Sequence, residues 1–138
     1  MAVDNSVGGP ATQPTPAGLP PEIELMDLLG YIYLQHHRPD KAAVVLAARD
    51  VLAPDHPRVL LTLALAQVRA AKPARALDTL DRLALLGQMD SAFHLVRAQA
   101  LQALQRMDEA ASAMRAYVAM RTAVSPKASS PLSSPTDG

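Results

Sequence analysis

Three short segments of this chain are variants of one pattern, and they stand 34 residues apart without slippage. They are Arg38-Pro39-Asp40-Lys41-Ala42, Lys72-Pro73-Ala74-Arg75-Ala76 and Arg106-Met107-Asp108-Glu109-Ala110; each opens on a basic residue and closes on alanine. Other positions keep step. Gly30, Ala64 and Ala98 are small, whereas Leu46, Leu80 and Met114 are large and apolar. A fixed period of this length marks one supersecondary unit used repeatedly, each completing its core by stacking on the next. The units fall at 23–56, 57–90 and 91–124.

Proline and composition say what each unit is made of. Pro39, Pro54, Pro57 and Pro73 each lie at the edge of a helical pattern, where the missing N–H costs nothing. Helices are expected at 22–36, 39–53, 57–70, 73–86, 91–105 and 107–121. Asp55 and Asp90 read as N-caps of the third and fifth, and Gly87 as the left-handed end of the fourth. Apolar residues make up 49%, yet the only aromatics are Tyr31, Tyr33, Phe93 and Tyr117. A core of alanine and leucine favours an all-α fold over a sandwich or barrel. Five of the twelve prolines fall in 1–21 and three in 126–138, together with Gly, Ser and Thr. Such segments cannot offset their conformational entropy, so 1–21 and 125–138 are expected to be disordered tails around one domain at 22–124.

Much chemistry is excluded. Without cysteine there is no disulfide, zinc–thiolate site, iron–sulfur cluster or Cys nucleophile. Thirteen basic residues balance thirteen acidic ones, so the basic excess of a nucleic-acid binder is missing. The first 21 residues carry neither the Lys or Arg nor the apolar stretch of a Sec signal. The longest apolar run, 59–68, is interrupted by Thr62 and Gln67 and is half the ~20 residues of a spanning helix. No membrane insertion is expected, and the cytoplasm is the expected compartment. His36 and His37 are adjacent at a helix end and diverge by about 100° on it, with Asp40 across the turn; they read as helix-terminus residues rather than metal ligands. Asp78 with Asp81, and Asp108 with Glu109, sit among Arg and Lys as solvated faces rather than acid/base pairs. There is no phosphate loop and no nucleophile elbow. Neither an enzyme nor a cofactor is expected.

The helical-pair period resembles the tetratricopeptide repeat (TPR). The first unit carries the resemblance most fully, as Leu29-Gly30-x-x-Tyr33 followed by Ala42, Leu46 and Pro54. Gly30 and Ala42 would let the two helices approach closely, Tyr33 and Leu46 would fill the space between units, and Pro54 would stop the second helix. The other units depart from it: Gln67 stands for the tyrosine and Arg97 for the leucine. The resemblance implies three TPR-like repeats in a short right-handed α-solenoid, whose first helices line a concave groove. By family position the groove would take Glu24, Asp27, Tyr31, Leu34 and Gln35 from the first unit. Arg58, Leu61, Leu65, Val68 and Arg69 would come from the second, and Ala92, Leu95, Gln99, Gln102 and Ala103 from the third. Within that set, Tyr31, Leu34, Leu61, Leu65, Val68, Leu95 and Gln99 are the expected partner-binding residues. TPR domains that hold acidic chaperone tails use a clamp of Lys, Asn and Arg; the corresponding positions here include Asp27, Tyr31, Leu61 and Leu65, so an acidic C-terminal peptide is not expected. The helix 57–70 is apolar on nearly all sides, which favours a hydrophobic segment lying in the groove over the plainer reading as a central core helix. No seventh helix is expected after residue 121, so part of the last helix is expected to need cover from a second chain or from self-association.

Among TPR proteins the chain looks like the cytosolic chaperones of bacterial type III secretion systems, and most like the YscY (SctY) type. The residues are Leu28-Leu29-Gly30-Tyr31, then Ala42 and Val45-Leu46. Leu52-Ala53-Pro54-Asp55-His56 follows, then Arg97-Ala98-Gln99, Asp108-Glu109-Ala110 and Tyr117. The resemblance spans 25–121 and implies a role without catalysis. Such a protein would keep a small secreted partner of the YscX type soluble in the cytoplasm and dock with it on the cytosolic part of the export gate. A needle-subunit or translocator chaperone of the same system, and a general TPR scaffold, are the alternatives.

Overall fold

A computed structural model of the protein describes residues 20–124. The expected disordered tails lie outside the described residues, except for Pro20 and Pro21 at the first helix. Six helices follow one another: α1 (Pro21–Gln35), α2 (Pro39–Leu52), α3 (Pro57–Arg69), α4 (Pro73–Leu85), α5 (Ser91–Ala103) and α6 (Met107–Val124). No strand occurs among the described residues. The expected helices are present, and α6 runs a few residues further than the pattern implied. Proline opens the first four, where its fixed φ suits the first turn and its lacking N–H has no helical partner.

The repeated basic-to-alanine segment turns out to be a turn. His37, Ala71 and Gln105 are left-handed, with φ of 59°, 63° and 65°. The residue after each donates its N–H back across the turn: Arg38 to the Tyr33 carbonyl at 2.8 Å, Lys72 to Gln67 at 2.8 Å, Arg106 to Leu101 at 2.9 Å. Its own carbonyl then accepts from the alanine in the first turn of the next helix, Ala42, Ala76 or Ala110. This six-to-one bond with a left-handed residue beneath it is the Schellman ending of a helix. Gly87 ends α4 in the same way, with φ 78°, as expected.

Asp90 caps α5, its carboxylate accepting from the Phe93 N–H at 3.0 Å. Asp55 does not cap α3. It is left-handed itself, the cap position falls to His56, and its carboxylate takes the Arg82 guanidinium at 2.7 Å. A charged donor is the stronger partner for a carboxylate than a backbone N–H.

Packing explains the periodic small and large residues. A Cβ built on Gly30 would lie 2.5 Å from Leu46 Cγ, so α1 and α2 meet at a distance only glycine allows. Leu46 continues through to Val59 and Leu63 of α3. Tyr33 packs with Leu34, Ala42 and Ala66 across the same boundary. One unit on, Ala64, Ala76, Leu80 and Leu83 join Phe93, Val96 and Ala100 of α5. The second helices α2 and α4 therefore each hold their own first helix and the next one. Among the second unit's differences, Gln67 in the tyrosine position is buried and accepts from the Thr79 hydroxyl at 2.7 Å.

A charged network joins α2 to α4. Arg82 donates to both oxygens of Asp50, at 2.7 and 3.0 Å, and the Asp55 N–H donates to Asp50 at 3.1 Å. Burial by itself would raise the Asp50 carboxyl, but the hydrogen bonds from Arg82 and the Asp55 backbone, with the charges of Arg82 and Arg49, hold it below the usual carboxylate range.

Two outcomes follow from these turns and bonds. Ala71→Gly should stabilise the protein by about 0.5–1 kcal/mol, because a left-handed alanine is strained where glycine is not, and a shift of the urea midpoint would show it. Asp50 adds stability above its unfolded pKa of about 3.9 and loses it as pH falls through its lower folded value. Asp50→Asn should thus be less stable than the parent at pH 7, by about 1–3 kcal/mol, and the gap should close below about pH 4 in urea titrations at a series of pH values.

Candidate functional site

The first helices α1 and α3 stand side by side, and two hollows run between them. One, of about 460 Å³, has Glu24, Asp27, Leu28 and Tyr31 on the α1 side. Arg58, Val59 and Thr62 form its α3 side, with Leu46 and His56 completing it. The other, of about 380 Å³, is lined by Tyr31, Leu34, Gln35 and His37, and by Thr62, Leu65 and Arg69. Tyr31 and Thr62 border both, so the two form one groove. Its walls are two helical stripes: 24, 27/28, 31 and 34/35 on α1, and 58, 62, 65 and 69 on α3. Steps of three and four residues keep each stripe on one helix face.

Of the expected partner-binding residues, Tyr31, Leu34 and Leu65 come together here. Tyr31 is 57% exposed, while Leu34 is mostly buried against Ala42 and Ala66 and contributes only an edge. Leu61 and Val68 are half-buried on the core cluster that reaches α5, together with Leu65. Leu95 is half-buried and Gln99 exposed on α5, outside both hollows. Eight residues expected to face the groove by family position do line it: Glu24, Asp27, Tyr31, Leu34, Gln35, Arg58, Leu65 and Arg69. Thr62 is the central residue that the sequence reading passed over. It is a polar residue inside an apolar helix, and its hydroxyl is turned back onto the Arg58 carbonyl at 2.9 Å.

The charges of the groove are unevenly used. Asp27 is taken by Arg49, whose Nε donates to it at 2.6 Å and whose Nη1 donates to the Ala53 carbonyl at 2.8 Å. Arg49 is 1% exposed and stands at the repeat position that Leu83 occupies in the next unit. A buried guanidinium needs such a partner, because desolvating it unpaired costs several kcal/mol. Arg58 and Arg69 are exposed and hold no carboxylate among the described residues. Among those residues no group of three His, Asp or Glu could hold a metal, and no helix is long and apolar enough to cross a membrane.

Compared with protein families, residues 33–100 match the tetratricopeptide repeat, from the last turn of α1 through most of α5. The match covers the α3 wall of the groove and its boundary with α1. No curated protein matches the chain.

Asp27 thus serves the core more than the groove. Asp27→Ala leaves the Arg49 charge buried with one carbonyl for company and should cost about 3 kcal/mol or more, read as a fall in the urea midpoint.

Proposed function

We propose that this TPR protein works by binding, and that the α1–α3 groove takes a short amphipathic segment of a partner protein. The observation that carries this reading is the pairing of half-open apolar residues with unspent charge. Tyr31 and Leu65 flank the groove, and Arg58 and Arg69 stand at its two ends without carboxylates. Eleven residues of helix separate the two arginines, roughly 16 Å, the length of about three helical turns. A segment with apolar anchors in its middle and carboxylates toward its ends matches that layout, in the helix-in-groove mode of recognition.

The finer reading is a cytosolic chaperone of type III secretion, of the YscY type. It is supported by the resemblance over 25–121 and by an apolar groove of the kind that masks an aggregation-prone segment. On this reading the captured protein is a small secreted subunit, YscX-like, which the chaperone keeps soluble and delivers to the export gate. A needle-subunit or translocator chaperone would use the groove in the same way. A general TPR scaffold is favoured instead if the groove holds stable, large partners, and co-purification separates the two outcomes.

Leu65→Glu and Tyr31→Glu test the groove. Each should weaken partner capture by about thirtyfold or more, the size of an interface hot spot, with the helical circular dichroism unchanged. Leu80 is fully buried, so Leu80→Ala should instead cost about 2–5 kcal/mol of stability. Capture at parental strength by both glutamate variants would move the site off this groove.

A further inference from the structure

The two ends of the stack carry the two halves of an interface that the molecule already uses twice internally. At the C-terminal end, Met114 is 40% exposed, while its repeat equivalents Leu46 and Leu80 are 2% and 0% exposed. Those leucines are covered by the first helix of the following unit, through Val59 and Leu63 in one case and Phe93 and Val96 in the other. Met114 and Val118 line an open hollow of about 470 Å³ on α6, and among the described residues no first helix lies over them.

The N-terminal end is the complement. Leu25 is 54% exposed, whereas its equivalents Val59 and Phe93, 34 and 68 residues on, are 6% and 4% exposed against the preceding second helix. Ile32, also exposed, stands where Ala66 and Ala100 are fully buried. Leu25 and Ile32 are seven residues apart and share one face of α1. Among the described residues, then, α1 packs on no preceding second helix and α6 on no following first helix. In sequence, residues 125–138 hold one large apolar residue, Leu132, and offer no stripe to set against Met114 and Val118.

We propose that the occupant of each end is a second copy of this chain, stacked head to tail. α6 of one copy receives α1 of the next, with Leu25 and Ile32 set against Met114 and Val118, as a continuation of the repeat. Charge agrees with this register. Glu22 at the start of α1 falls opposite the Arg121 end of α6, by the antiparallel order of neighbouring helices. Such an interface is heterologous, so it leaves an open half at each end of the assembly and grows beyond the dimer. The groove lies on another face of α1, so stacking and partner capture use different residues.

Sedimentation of the full chain at several concentrations tests it. The parent should show a mass that rises past the dimer with concentration. The variant Leu25→Glu/Ile32→Glu and the variant Met114→Glu/Val118→Glu should each stay monomeric, with helical content unchanged. Their equimolar mixture should give a dimer and stop there, because each supplies one intact face. A parent that is monomeric at every concentration overturns the proposal. So does self-association retained by the α1 variant and lost by the α6 variant, since that pattern means α6 pairs with itself. A mixture that stays monomeric overturns it too.

Discussion

The closeness of α1 to α2 at Gly30 is what the first boundary of the stack depends on. Because no side chain stands there, Leu46 sits directly on the α1 backbone and still reaches Val59 and Leu63 on the other side. One leucine thus belongs to two interfaces. A methyl group at position 30 would push Leu46 and, through it, α3. Overpacking of that kind costs about 1–3 kcal/mol, which meets or exceeds the ~1 kcal/mol that alanine gains over glycine in a helix. The later units solve the same problem with alanine, Ala64 lying in one cluster with Leu80.

The groove inherits its form from this arrangement. Its floor includes Leu46 and Val59, the residues that close the boundary between the first two units, and its rims are the polar edges of α1 and α3. Core and groove are therefore faces of the same few helices, turned by one residue step. That is why Leu34 can be both a core residue and a groove edge, and why Leu61 points into the seam with α5 while Thr62 beside it opens onto the groove.

The helices were legible because proline marks their starts and alanine and leucine fill them, and the order of the units was legible because the 34-residue period does not slip. The left-handed turn residues were not. His37, Ala71 and Gln105 are neither glycine nor asparagine, so no local signal announces them; only the register between helices does. On α3, Arg58, Leu65 and Arg69 were legible as groove residues, but Thr62 lines it where Leu61 was expected, because a family position fixes a helix face only to within the 100° of a single residue step. The ion pairs were invisible for a different reason. Asp27 and Arg49 are 22 residues apart and Asp50 and Arg82 are 32 apart, and each residue alone looks like an ordinary surface charge. A signal did exist: in the second unit the positions of Arg49 and Asp50 are held by Leu83 and Ala84, so charge there is out of keeping with the repeat.

The two seams of the stack are thus built of different materials. Between the second and third units Leu80 and Leu83 pack on Phe93 and Val96, and no ion pair crosses among the described residues. Between the first and second the contact also depends on the Asp50–Arg82–Asp55 network. In a linear array, stability is a sum of unit and seam terms, and opening begins at the weakest seam. Acid acts on one seam and spares the other, so α1 and α2 would lift away as a block, their amides losing hydrogen-exchange protection while those of α4 and α5 keep theirs. The groove straddles that same seam. Undocking of the first unit and opening of the groove between α1 and α3 would then be one event, with the lock on the second helices and the groove on the first.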